Sequence, residues 1–225
     1  MSVMKQVLMV LLLVAVGSSA DVEVEPTKAP DHCDGLKNKV PLKDLHKYNG
    51  EWVLFWSVSD HDNGHNMLSV LRSSHVEMSS DNITFVMTER NLYTSGPNRR
   101  DFFINETLPS DPVQFHIHAD TVRLEVDGKH EDYNDTADLA FYEGCPDCML
   151  MTYKVEEGFY LLVYIKDGKH QDAEKLKTVH DDHKKQAECL GFPHSKPYSY
   201  DGVTDFAHKK SSPDVATEAP VLERP

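Results

Sequence analysis

The chain has 225 residues, and its 37 acidic residues against 23 lysines and arginines give a formal net charge of −14. A surface this acidic repels nucleic acid and anionic lipid, so neither is expected as a partner. The length suits one well-cored domain, with short segments to spare at both ends.

The first segment, 1–20, has the pattern of a cleaved secretory signal. It contains one lysine, Lys5, then an apolar run from Val7 to Val16 and small residues up to Ala20. This pattern predicts cleavage after Ala20 and an extracellular protein, with blood plasma as the natural compartment. A helix that crosses a bilayer needs about 20 apolar residues. The run is about half that long, so membrane insertion is not expected.

The next segments predict a flexible leader and a short helix. Residues 21–32 hold two prolines and alternating charges, which is typical of an unstructured leader. Leu42, Leu45 and Tyr48 then follow at helical spacing and predict one or two helical turns.

A long period-two region follows the short helix. Gly50 and Trp52 open an aromatic, strongly apolar strand, and turn residues punctuate the chain every 8 to 15 residues or so up to Lys166. Consecutive hairpins of this kind form a meander, which removes its edges by closing. The predicted strands are 52–58, 67–78, 83–93, 101–108, 113–118, 121–127, 136–143, 149–155 and 158–166.

The C-terminal part predicts one helix and a tail. Between Gln171 and Leu190 apolar residues recur every three or four positions, which predicts an amphipathic helix that stops at Gly191. Residues 201–225 are expected to be extended, and disordered from about Lys209. The expected fold is therefore an all-β domain over 33–200 with one C-terminal helix, an eight-stranded antiparallel up-and-down β-barrel.

Three Asn-x-Thr sequences, at Asn82, Asn105 and Asn134, predict a glycoprotein. A glycosylated asparagine must face solvent, and side chains alternate along a strand. An outward Asn105 therefore turns Glu106 inward. Glu106 becomes a candidate carboxylate for a guanidinium or amine on a ligand; an acid at a strand end that reaches water is the competing interpretation.

This order of parts resembles the lipocalins, and within them the α1-acid glycoprotein branch. The similarity is carried by Gly50-Glu51-Trp52, the sequon at Asn105, the last strand 159–164 and the sequence Cys-Leu-Gly-Phe-Pro from Cys189. Within the branch the chain is most similar to the fish tributyltin-binding proteins and the puffer saxitoxin- and tetrodotoxin-binding proteins. One departure is a missing arginine after the last strand, which in the family packs on the Gly-x-Trp tryptophan. Lys166 or Lys169 is the nearest substitute.

Four cysteines allow three pairings. The resemblance implies that Cys33 pairs with Cys189, which leaves Cys145 with Cys148 across a hairpin tip. The Cys-x-x-Cys spacing also occurs in redox motifs, but these need a strand followed by a helix. The flanks here predict two strands.

The resemblance also implies an interior site. Alternation places Trp52, Leu54 and Trp56 on one face, and the resemblance turns that face inward, with Trp52 at the floor and Trp56 nearer the mouth. A barrel filled by its own side chains is the alternative, because eight strands leave room for either. The wall expected to bury an apolar ligand consists of Leu54, Trp56, Phe102, Ile104, Val122, Leu124, Leu162 and Tyr164.

Histidines form three groupings with spacings that suit metal ligands, but none shows a third and fourth partner, so no metal and no cofactor is expected. In the expected architecture the first long loop overhangs the barrel mouth, and its two histidines would coordinate a Lewis-acidic ligand such as an organotin. The groupings are His61 with His65, His116 with His118, and His180 with His183.

The expected function is that of a secreted, monomeric carrier that holds a small hydrophobic or cationic ligand, such as a toxin, an organotin, a lipid or a steroid. No nucleophile motif is present, and no cysteine is spare if both disulfides form, so no catalytic residues and no enzyme activity are expected. The alternative is an immune-modulatory glycoprotein that acts through its surface.

Overall fold

The computed structural model describes Cys33 and residues 37–111, 114–156, 158–171 and 173–209, without the side chains of 134 and 173–181. The expected signal and leader therefore lie outside the described residues, as does the tail beyond Lys209. In the described part no helix is both long enough and apolar enough to cross a membrane.

Eight antiparallel strands close into a barrel, as the period-two pattern predicts. Each strand pairs with the next along the chain, and the eighth returns to pair with the first. The strands are β1 (Gly50–Ser59), β2 (Leu71–Ser80), β3 (Thr84–Tyr93), β4 (Arg99–Thr107), β5 (Ile117–Val126), β6 (Lys129–Tyr142), β7 (Cys148–Val155) and β8 (Gly158–Lys166).

The remaining elements lie at the two ends and on the outside of this barrel. They are a 3₁₀ helix (Leu42–Tyr48), α1 (Asp62–Val70) between β1 and β2, α2 (Ala173–Leu190) and the two-residue strand β9 (Tyr198–Ser199), which pairs with β1. The 3₁₀ helix and α2 fall where the helical spacing predicts them. The two strands expected at 113–118 and 121–127 are one strand, β5, whose pairing with β6 shifts register between Ala119 and Val122.

The helix α1 replaces the first part of a strand expected from residue 67. It is held close to the end of β1, because a Cβ atom added to Gly64 would lie 2.0 Å from the Oγ atom of Ser59. Any side chain at position 64 would push α1 away from the strand. Residue 64 therefore fixes how closely α1 can cover this end of the barrel.

The opposite end of the barrel is closed by aromatic packing around Trp52. The Nε1 atom of Trp52 donates a hydrogen bond of 2.8 Å to the backbone oxygen of Tyr48, and the two rings lie 5.9 Å apart. Tyr48 also stacks on Phe141, which in turn contacts Phe85. The 3₁₀ helix thus supports the floor tryptophan, and Lys166 is its neighbour across the β1–β8 pair.

Gly50 opens β1 with a φ of +126°, a backbone conformation that side chains with a Cβ atom rarely adopt. We expect Gly50→Ala to lower the free energy of unfolding by about 1 to 3 kcal/mol, because the strain is imposed only in the folded state. Urea denaturation followed by tryptophan fluorescence measures the change. An unchanged urea midpoint would show that the start of β1 does not require glycine at position 50.

Both disulfides form as the resemblance implies, Cys33 with Cys189 and Cys145 with Cys148. The first joins the N-terminal side of the barrel to the end of α2. The second lies in the turn that leads into β7.

The C-terminal segment Tyr200–Lys209 packs on the outside of the barrel, beyond the domain boundary expected at residue 200. Tyr200 and Phe206 are each 5% exposed, and their rings stack 5.5 Å apart. His75 of β2 lies beneath Phe206 with its side chain fully enclosed. The folded unit therefore extends to at least Lys209.

Candidate functional site

A cavity of about 410 Å³ lies inside the barrel at the end that α1 covers. Its volume falls within the usual range for small-ligand pockets, roughly 300 to 1,000 Å³. Two kinds of group line it, apolar or aromatic side chains and a small polar set. The lining residues are Leu54, Asn63, Asn66, Met67, Leu68, Leu71, Glu89, Asn91, Tyr93, Arg100, Phe102, Leu124, Tyr133, Tyr153, Val155, Tyr160 and Leu162.

Half of the expected apolar wall is found at the cavity. Four residues, Leu54, Phe102, Leu124 and Leu162, line it. Three others are buried without reaching its surface, and these are Ile104, Val122 and Tyr164. Ile104 lies deeper because it pairs with Met87, one inward pair closer to the floor than Phe102.

Trp56 does not line the cavity wall, and the reason is a bulge in β1. The pairing with β8 shifts between Leu54 and Trp56, so Phe55 is an extra residue and the alternation reverses beyond it. Trp56 then pairs with Val163 and lies 5.9 Å from the ring of His183 on α2. The inward positions after the bulge belong to small residues such as Ser57, which pairs with the cavity residue Leu162.

Glu106 and the two mouth histidines also lie away from the cavity. Glu106 pairs with Phe85 at the far end of β4, so it sits near the floor and not at the rim. His61 is exposed beside Asp60 before α1 begins, and His65 is within α1 but does not line the cavity. The side chains that α1 contributes to the lining are Asn63, Asn66, Met67 and Leu68.

The carboxylate inside the cavity is Glu89, which the sequence reasoning missed. Its surface faces the cavity, and it accepts hydrogen bonds from Ser74 Oγ at 3.2 Å and Asn91 Nδ2 at 3.1 Å. Burial raises the pKa of the Glu89 carboxyl, and these two hydrogen bonds oppose the shift. The signal was available, because alternation from the buried Phe85 and Met87 leads directly to Glu89.

The groups around Glu89 leave its charge without a partner. Among the described residues no ion pair joins Glu89 to a cation, and the nearby Arg100 instead lies over the ring of Tyr93 at 5.3 Å. The Oδ1 atom of Asn91 is buried and has no hydrogen-bond partner in the described part of the chain. Two acceptors, one carrying a negative charge when ionised, thus lie together at the cavity surface.

Phenol groups surround this pair of acceptors. Burial raises the pKa of Tyr93, and the charge of Glu89 acts in the same direction. Burial likewise raises the pKa of Tyr153 and of Tyr164, again with a contribution from Glu89. These phenols therefore stay protonated at neutral pH, and the two that line the cavity, Tyr93 and Tyr153, can offer ring faces and hydroxyl donors but no negative charge.

The arrangement suits a ligand with a cationic, multiply donating group and an apolar body. A guanidinium or ammonium group can donate to both Glu89 and Asn91, while aromatic faces attract the same charge. Among the lining residues Glu89 is the one carboxylate, and no histidine or cysteine accompanies it. The cavity therefore does not supply the ligand set of a metal site.

Two curated relatives match most of the chain, and both come from Takifugu pardalis. "Saxitoxin and tetrodotoxin-binding protein 2" is 37% identical over 191 residues, which is 85% of this chain and 48% of that protein. "Saxitoxin and tetrodotoxin-binding protein 1" is 36% identical over the same shares. The chain thus spans about half the length of these relatives. No protein-family model matches it.

Solved structures with a similar fold are distant in sequence. The siderocalin Ex-FABP gives a TM-score of 0.45 at 9% identity, covering 68% of this chain and 92% of that one. Lobster apocrustacyanin A1 gives 0.45 at 11% identity, covering 73% and 83%. The fold assignment rests on the strand order and closure described above. Over 85% of its length the chain is thus similar to the puffer saxitoxin and tetrodotoxin-binding proteins, and its eight antiparallel strands close into an up-and-down barrel.

Proposed function

We propose that the protein is a small-molecule carrier that binds a cationic ligand with an apolar body inside the barrel. The observation that carries the proposal is Glu89, a cavity-lining acid with no ion-pair partner among the described residues, beside the unpaired Asn91 oxygen. Arg100 also lines the cavity, but its guanidinium lies over the ring of Tyr93. A site of this kind favours a cation, because the ligand supplies the charge that the protein lacks.

The relatives support a ligand of the toxin class. Their names state that they bind saxitoxin and tetrodotoxin. An organotin is less favoured, because His61 and His65, which would have coordinated tin, do not line the cavity. We further propose that the carrier is secreted and glycosylated, supported by its two disulfides and by the exposure of Asn82 and Asn105.

The apolar wall supplies most of the affinity and the acid supplies the selectivity. Removing about 250 to 300 Å² of apolar ligand surface from water contributes roughly 6 to 8 kcal/mol before the cost of association. That term is the same for a neutral ligand of the same shape. Discrimination between the two therefore depends on Glu89 and Asn91.

Calorimetric titration with a matched ligand pair tests the proposal. Benzylguanidine and benzylurea have nearly the same shape, but only the first is a cation. We expect the cation to bind at least tenfold more tightly, with saxitoxin and tetrodotoxin titrated in parallel. Equal affinities within the pair, or no heat with any of the four compounds, would contradict a cation-selective cavity. Tryptophan quenching is a poor substitute, because neither Trp52 nor Trp56 lines the cavity.

A further inference from the structure

A second cluster of charged and metal-ligating side chains lies outside the barrel, near its closed end. One ligand atom from each of Glu51, His75 and Asp167 lies within 4.8 Å of the other two. Glu51 and His75 come from the paired strands β1 and β2, where His75 is opposite Val53, and Asp167 follows β8 directly. Three neighbouring strands therefore bring the cluster together.

His75 is the buried member, and its ring nitrogens are unsatisfied. Its side chain has no exposed surface, and neither Nδ1 nor Nε2 has a hydrogen-bond partner among the described residues. The Nε2 atom nevertheless lies 3.5 Å from Oε2 of Glu51 and 3.4 Å from Oδ2 of Asp167. A buried imidazole without hydrogen-bond partners is uncommon, so a group bound between Nε2 and the two carboxylates would satisfy it.

A positive charge already lies against the two carboxylates of this cluster. The Nζ atom of Lys209 donates hydrogen bonds to both carboxylates of the cluster. Lys209 ends the segment that covers His75, and the ring of the preceding His208 lies 4.4 Å from the His75 ring. The ammonium group is a cation among three ligand atoms, two of which it contacts.

We propose that Glu51, His75 and Asp167 form a site for a first-row divalent metal ion such as Zn²⁺, in which Lys209 holds the place of the ion. One imidazole nitrogen and two carboxylate oxygens are a ligand set that zinc accepts, with a fourth position left for water or His208. The more oxygen-rich shells of Ca²⁺ and Mg²⁺ fit less well. The route to solvent runs past Glu51, whose side chain is 50% exposed while that of Asp167 is 18% exposed.

The site is separate from the barrel cavity, so it can be tested without the organic ligand. Untagged full-length protein is titrated with Co²⁺, whose visible absorption reports tetrahedral coordination, and then with Zn²⁺ by calorimetry. We expect one equivalent to bind. Asp167→Asn and Glu51→Gln should each weaken binding at least tenfold. Because these two residues are partly exposed, folding should survive, and the tryptophan spectrum checks it.

Two further variants separate this site from other histidines and from a plain ion pair. His118→Gln removes an exposed histidine that contacts Asp120 and Asp138, and it should leave Co²⁺ binding unchanged. Lys209→Ala removes the competing ammonium and should tighten binding several-fold. The proposal is overturned if Asp167→Asn and Glu51→Gln both bind Co²⁺ as tightly as the wild type. It is also overturned if neither the wild type nor Lys209→Ala binds one equivalent of Co²⁺. Weaker binding by Lys209→Ala would overturn it too, since the ammonium would then be assisting the ion.

Discussion

Removing the Cys33–Cys189 disulfide is expected to lower the free energy of unfolding by about 4 to 5 kcal/mol. The two cysteines are 156 positions apart, so the bond closes nearly the whole described chain into one loop. On the chain-entropy model the stabilisation grows with the logarithm of loop length, and loops of this size give about that value. A domain of ordinary stability has only about 5 to 15 kcal/mol in total.

The double variant Cys33→Ala/Cys189→Ala is compared with Cys145→Ala/Cys148→Ala in urea titrations. The second bond spans a separation of only 3 positions and should contribute about 2 kcal/mol on the same relation. Equal losses for the two pairs would show that loop length does not control the effect. A larger loss for the short bond would point to a local role at the turn before β7.

The long disulfide acts on the unfolded chain, and the barrel has its own means of closure. β8 pairs with β1 through seven residue pairs, independently of the bond to α2. Under conditions where the variant remains folded, the cavity should therefore keep its shape and its ligand affinity.

Much of the fold was predictable because alternation repeats over many residues. Most of the strands and the long helix follow from local spacing, whereas the position of Trp52 at the closed end was implied by the family resemblance. The orientation of Trp56 was not predictable, because one extra residue at Phe55 reverses the alternation and leaves no mark in the sequence. The packing of Asp201–Lys209 was also missed, since the segment is polar apart from Val203, Phe206 and a few small residues.

Part of the apolar cavity wall was predicted from the sequence, but the carboxylate in the cavity was not. Leu54, Phe102, Leu124 and Leu162 line the cavity, as expected for apolar positions on the inward face of the strands. Alternation does not say which inward positions reach the cavity, and Ile104, Val122 and Tyr164 do not. Glu89 was overlooked because the sequence Thr-Glu-Arg-Asn reads as an exposed polar stretch. Alternation from Phe85 and Met87 gives its inward face, and the register gives its depth, opposite Phe102 and well above the floor.

The second large expected effect is a loss of ligand affinity when the Glu89 carboxylate is removed. Glu89→Gln should weaken binding of a cationic ligand roughly ten- to hundredfold, the equivalent of about 1.5 to 3 kcal/mol for a hydrogen bond to a charged group. The matched control is Glu106→Gln, which removes an acid from the same inward face near the floor and should bind as the wild type does. Calorimetry with benzylguanidine measures both. If both variants lose the same affinity, the effect comes from the overall charge of the protein and not from a contact in the cavity.

The affinity for a cation and the stability of the free protein should both depend on pH through Glu89, in opposite directions. Since burial raises the pKa of Glu89, a cation must displace a proton at low pH, and the affinity for the cation should fall up to tenfold per pH unit as pH decreases through that raised pKa.

Stability depends on the same proton. In the absence of ligand, the folded state binds this proton more tightly than the unfolded state does. The contribution of Glu89 to stability is therefore lost as pH rises from its unfolded pKa through the raised one. Glu89→Gln should remove both slopes together, so that the variant binds the cation poorly at every pH yet is no less stable than the wild type at high pH. Weak binding accompanied by lower stability across the whole range would instead mean that the substitution damages the barrel.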